Sequence, residues 1–318
     1  MINVFGQRPP TVWGDVEKKI GRGFANRFLD RVGVQYGLRA FEAGAITAEQ
    51  FVDLNERIGG WDIDTRWQPE RTTGDRFAIE QMYRNGLIVD GRLLAKVAII
   101  DYRRTTRADI HSNRQAAFVR ERMLRSNGTA ASRAEWIEPN PSPAKAEIDD
   151  GSRGSAAVDE KLTLRVLDEW LSRIEADRSD LAIEQKIVRN KPPEAADGCF
   201  EGGQRIGAKA CASYELDSDP LLVAGMPAAR DILKCQLKPL RRADYRASFT
   251  TAQWDRLEQT FASGVCDWSK PGVGQQSNIP WLTYEKGAPG KPFADEQQVR
   301  KFGDQMSRRI GGQNAGQR

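Results

Sequence analysis

Apolar side chains recur at near-helical spacing from Phe24 to Ala43 (Phe24, Phe28, Val32, Tyr36, Ala40), which predicts a helix there. Glycines at 33 and 37 weaken that helix and are candidate breaks in it. Thr47-Ala-Glu-Gln50 is a capping box, Phe51, Leu54 and Ile58 form one apolar stripe behind it, and Gly59-Gly60 closes the helix. Residues 61–76, WDIDTRWQPERTTGDR, read as a polar loop.

Between 94 and 138 the pattern changes. Leu94 to Asp101 (LAKVAIID) is an apolar run broken only by Lys96 and closed by an acid, the signature of a buried parallel strand. Ser112-Asn-Arg-Gln115 is a second capping box opening a helix to about Arg125, with Asn127-Gly128 as the turn that ends it. Ala134 to Glu138 (AEWIE) is the following strand. Strand, helix and strand in so short a span make a βαβ unit, so this region is predicted to be α/β with a parallel sheet.

Pro139 to Gly154 (PNPSPAKAEIDDGSRG) is linker-like, and beyond it Val158, Leu162, Val166, Trp170 and Ile174 share one helical face. Thr250-Thr-Ala-Gln253 is a third capping box, leading into Trp254, Leu257 and Phe261 before Gly264. The expected organisation is an α/β part over 1–138, a linker over 139–155, a helical and cysteine-containing region over 156–290, and a disordered tail over 291–318.

Composition narrows the classes. No uninterrupted apolar run is long enough to span a bilayer, and MINVFGQRPPTVWGDVEKKI has no apolar h-region, so neither a membrane span nor a signal peptide is expected. The net charge is +4, of which +3 falls after residue 290; elsewhere Lys and Arg alternate with acids as on solvated faces, so no nucleic-acid partner is expected. The single histidine excludes zinc sites built on two or three imidazoles, and no cofactor is expected.

All four cysteines, Cys199, Cys211, Cys235 and Cys266, fall in one loop-rich window, and none forms a C-x-x-C pair. Two disulfides are the expected state, with four reduced, buried thiols as the alternative. Three pairings exist; Cys199 with Cys211 and Cys235 with Cys266 is the expected one, closing loops of a few tens of residues or fewer. Disulfides imply an oxidising compartment, extracellular or periplasmic.

His111 is the one candidate base. It sits between the strand ending at Asp101 and the helix capped by Ser112, a crevice where reactive groups gather in open α/β sheets. The positive helix end favours a neutral ring, and Asp101 and Asp109 are near enough in sequence to orient it. A surface or capping histidine is the competing reading. No Gly-x-Ser-x-Gly occurs anywhere, so no nucleophile elbow accompanies the base. Asp62-Ile-Asp64 is short of a calcium loop and reads as a solvated turn. The eight tryptophans are core residues first and an aromatic or sugar site second.

Three strings carry a resemblance: RVGVQYGLRAFEAGAITAEQFVDLNERIGGWDID, AIIDYRRTTRADIHSNRQAAFVRERMLRSNG and KCQLKPLRRADYRASFTTAQWDRLEQTFASGVCDWSKPGVGQQ. Over residues 24–285 the chain resembles the C-terminal half of a tannase-like family of secreted bacterial α/β-hydrolase-type proteins. The resemblance implies the C-terminal portion of an α/β-hydrolase-like fold with a helical, loop-rich, disulfide-stapled extension, and Ser-His-acid chemistry on a small-molecule ester. In it Asp109, Ile110 and His111 take the family's Asp-Ile-His positions, Asp101 the strand end, and the four cysteines the disulfide positions. The family's serine lies upstream, so the chain is expected to be a fragment, a split-gene product or a truncated gene model, with the N-terminal half as partner. The reading from a different class is a binding or structural module that keeps the scaffold without the elbow.

Overall fold

The computed structural model describes residues 1–104, 114–138, 160–201, 204–206 and 219–279. Residues 1–276 form one compact unit; of the second, 277–318, only 277–279 are described. The N-terminal part carries short helices α1 (Ile2–Phe5), α2 (Asp15–Ile20) and α3 (Leu38–Glu42), then α4 (Ala48–Arg57). A small antiparallel hairpin, β1 (Gly60–Trp61) with β2 (Trp67–Gln68), replaces part of the expected 61–76 loop, and α5 (Arg76–Arg84) follows.

The capping box at Thr47 forms as expected: Gln50 N donates to Thr47 Oγ1 (3.2 Å) and Thr47 N donates to Gln50 Oε1 (2.8 Å). The predicted helix over 24–43, by contrast, survives only as α3. Gly33 and Gly37 both adopt a left-handed φ of 79°, which a helix interior cannot contain. The backbone between them finds partners elsewhere. Asn55 of α4 accepts from Tyr36 N and donates to Tyr36 O, each at 2.9 Å, and Cys266 N donates to Gly33 O at 2.9 Å. A Cβ on Gly33 would lie 2.4 Å from Leu237 Cδ2, so the close approach requires glycine.

The central sheet is built from β3 (Ile99–Arg104), β4 (Arg133–Glu138), β5 (Gly198–Glu201) and β6 (Gln204–Ile206), in that spatial order. β3, β4 and β5 run parallel, and β6 turns back antiparallel to β5. Helix α6 (Arg114–Asn127) connects β3 to β4, the βαβ unit read from the sequence; Ser112 of its expected capping box lies outside the described residues. Asn127-Gly128 ends α6 as expected, with Gly128 at φ 70°.

The first strand needs correction. Leu94 to Lys96 belongs to a 3₁₀ turn, Arg92–Lys96, and β3 begins at Ile99 and runs on to Arg104. Gly91, at φ 82°, starts that turn where a Cβ would meet Met123 N of α6 at 2.7 Å. Pairing with β4 from Ile99↔Arg133 to Arg104↔Glu138 then sets the strand, so Asp101 lies inside it.

Helices α7 (Glu160–Ala176) and α8 (Ile183–Arg189) pack Val166, Trp170 and Ile187 against Ala134, Trp136 and Phe200, the apolar face of the sheet. Trp170 Nε1 donates to Ile187 O (2.8 Å), so the indole is both buried and satisfied. After α9 (Pro220–Val223), the two-stranded pair β7 (Leu237–Lys238) and β8 (Val265–Cys266) flanks α10 (Thr251–Thr260) in sequence. Thr250 caps α10 through Gln253 N (3.3 Å), and Gln253 Oε1 accepts from Thr250 N (3.0 Å). Thr250→Ala is expected to cost about 1 kcal/mol, read as a lower denaturant midpoint at unchanged m.

Candidate functional site

Period-two alternation divides the sheet into unlike faces. Ile100, Tyr102, Ala134 and Trp136 face the α7–α8 core. Asp101 and Arg103 of β3, with Arg133 and Glu135 of β4, turn to the opposite side and form a network of charges largely closed to solvent. Asp101 Oδ1 accepts from Arg103 Nε (2.7 Å), while Oδ2 accepts from Arg103 Nη2 (3.1 Å), Arg133 Nη2 (2.5 Å) and Arg133 Nε (3.2 Å). Arg133 Nη2 also lies 3.4 Å from Glu135 Oε1. The Arg133 side chain is only 3% exposed.

Burial alone would raise the Asp101 carboxyl above its ordinary value. The hydrogen bonds from Arg103 and Arg133, with their charges, outweigh it and hold the group below that value, so it is ionised at neutral pH. Asp197, just before β5, extends the network. It accepts from Glu135 N (2.9 Å) through Oδ1 and from Arg120 Nη1 of α6 (2.9 Å) through Oδ2.

Of the residues expected at the site, Asp101 is therefore placed inside β3, three residues or about 10 Å before the strand's carboxyl end. Asp109 and His111 lie between Arg104 and Arg114, outside the described residues. The arginines that hold Asp101 were not anticipated. Their signal was partly legible in IIDYRR and RAEWIE, where Asp101 and Arg103, and Arg133 and Glu135, are charges two positions apart on one strand face.

Cys235, two residues before β7, and Cys266 of β8 are joined by a disulfide, as expected. Cys199 of β5 is also disulfide-bonded, and Cys211, its expected partner, lies outside the described residues. This chemistry points to an oxidising, extracellular or periplasmic setting. A chain cross-linked at a separation of 31 residues loses enough unfolded-state entropy to stabilise it by roughly 3–4 kcal/mol. Thiol titration of denatured, unreduced protein is expected to find no free thiols; four would contradict both the bonds and the compartment.

No helix among the described residues is long and apolar enough to cross a membrane, and among them no group of three or more His, Cys, Asp or Glu side chains could hold a metal ion. A family model described as a tannase-like family of unknown function matches residues 1–277. The chain belongs to that tannase-like family. The match takes in the whole four-stranded sheet, the charged network on β3 and β4, and the Cys235–Cys266 bond of this tannase-like chain. No curated protein and no solved structure matches it.

Proposed function

We propose that this tannase-like chain supplies the histidine and acid of an acyl-transfer site in a serine ester hydrolase of the α/β-hydrolase type, acting on a small-molecule ester. One observation carries the reading. The parallel pair β3–β4 has its first strand running to Arg104, immediately ahead in sequence of the segment with Asp109 and His111. The carboxyl edge of parallel strands is where such sheets present reactive groups. Family membership supports the same chemistry, and the sequence's one imidazole falls in that segment.

His111 acts as general base, and Asp101 or Asp109 orients it. Asp101 keeps capacity for this: its Oδ1 takes a single donor from the arginines, which leaves one lone-pair direction for an imidazole N–H. Asp109 lies closer in sequence to the strand's end. The serine comes from a polypeptide segment outside these 318 residues, since no Gly-x-Ser-x-Gly occurs within them. That absence also favours the second reading, a binding module without turnover.

Hydrolysis of a chromogenic short-chain ester separates the two. The chain alone is expected to show no turnover above buffer, and the chain joined to a family segment carrying Gly-x-Ser-x-Gly is expected to turn over. A joined protein that folds cooperatively yet hydrolyses nothing overturns the proposal and leaves the binding module.

A further inference from the structure

Away from the four-stranded sheet, the N-terminal segment and the β1–β2 turn line an open cavity of about 310 Å³. That volume lies in the lower part of the range for small-molecule sites, roughly 300–1,000 Å³. We propose that this cavity binds a small neutral saccharide. The inference is independent of the acyl-transfer reading, because it concerns other residues and a binding event without chemistry.

The charge of the wall selects a neutral ligand. Arg8, Lys18 and Arg27 are matched by Asp15, Asp62 and Asp64, so neither an anion nor a cation is favoured by net attraction. Several of these charges are already engaged within the protein. Arg27 Nη1 donates to Trp61 O (2.7 Å) and Asp62 O (2.8 Å), Asp62 Oδ1 accepts from Arg66 N (2.8 Å), and Asp64 Oδ2 accepts from Val16 N (3.2 Å).

What remains is a donor and an acceptor with nothing to meet. Four buried side-chain polar atoms lack a hydrogen-bond partner among the described residues, and two of them, Arg27 Nε and Asp64 Oδ1, belong to this one wall. Buried unpaired groups are costly, and their concentration in one place calls for an occupant. Both atoms are closed to solvent as the wall stands, so a ligand reaches them by parting it. A hydroxyl donates and accepts at once, which suits a wall offering one of each.

Trp13 supplies the other half of saccharide recognition. Its Nε1 donates to Arg8 O (3.0 Å), which fixes the indole at the cavity wall. Gly23 makes room for it, since a Cβ there would fall 2.7 Å from Nε1. A fixed indole offers an apolar face to the C–H face of a pyranose while the hydroxyl edge meets the polar wall. The cross-strand pair Trp61 and Trp67, though more than half exposed, sits at alternate strand positions to the cavity-lining Gln68 and is not assigned to the site.

The test is isothermal titration of the full chain with xylose, glucose, galactose and their β-linked disaccharides, with glycerol and inorganic phosphate as controls. At least one saccharide is expected to saturate a single site with Kd near 1 mM or tighter. Trp13→Ala is expected to weaken it at least tenfold, and Trp13→Phe, which keeps a ring, by less than about threefold. Circular dichroism confirms that each variant is folded; if Trp13→Ala unfolds, the Trp13→Phe and wild-type titrations still decide. Absence of saturation by every saccharide, preferential binding of phosphate, or equal affinity for glycerol overturns the proposal, as does an unchanged Kd in folded Trp13→Ala.

Discussion

His111→Ala, made in the chain joined to its serine-bearing segment, is expected to lower kcat/KM for a chromogenic ester by roughly 10³-fold or more. The magnitude follows from what a base does in acyl transfer. Without a proton acceptor the serine hydroxyl attacks as a neutral alcohol, and only oxyanion stabilisation and substrate positioning remain. The loss should fall on kcat, with KM little changed, because the imidazole acts in the transition state and contributes little to ground-state binding. Asp109→Asn and Asp101→Asn then assign the acid. The true acid should give a large loss at neutral pH with the fold intact, whereas the other should leave kcat within about threefold. Equal hydrolysis by the His111→Ala protein would make the histidine structural and remove the acyl-transfer assignment.

Short-range chemistry was the most legible part of the fold. Thr47 and Thr250 cap their helices through the glutamine three residues on, and a capping box needs no information from the rest of the chain. The βαβ unit was legible for a similar reason, since its apolar runs and the Asn127-Gly128 turn lie in one continuous stretch. Where the reading failed, distant partners decided. The apolar positions from Phe24 to Tyr36 have helical spacing, yet Asn55 and β8 claim their backbone groups, and two left-handed glycines exclude the helix. The apolar run at Leu94 fits a strand as well as Ile99 does; only the register against Arg133–Glu138 separates strand from 3₁₀ turn. The site followed the same rule. A lone histidine after a strand can be found by eye, but Arg133 becomes meaningful only once β4 lies beside β3.

That pairing carries the second large effect. Asp101→Ala is expected to destabilise the protein by about 3–5 kcal/mol, because it strands a nearly fully buried guanidinium. Glu135 Oε1 stays 3.4 Å from Arg133 Nη2 and offers partial compensation, which places the value toward the lower end. Asp101→Leu combined with Arg133→Met is expected to recover part of the loss, since an apolar pair of similar size removes both charges while buried Glu135 gives up its contact with Arg133. A double variant no more stable than Asp101→Ala would show that the network matters for shape rather than for charge compensation. The effect also has a defined pH dependence. The folded-state carboxyl lies below its unfolded value of roughly 3.9, so the pair contributes its full stability above that value and loses it as pH falls through the folded-state pKa. Urea unfolding of wild type and Asp101→Ala from pH 7 to pH 2.5 should therefore show a constant gap down to about pH 4 that narrows below it. A gap that stayed constant through pH 2.5 would mean that the carboxylate's ionisation is not what holds Arg133 in place.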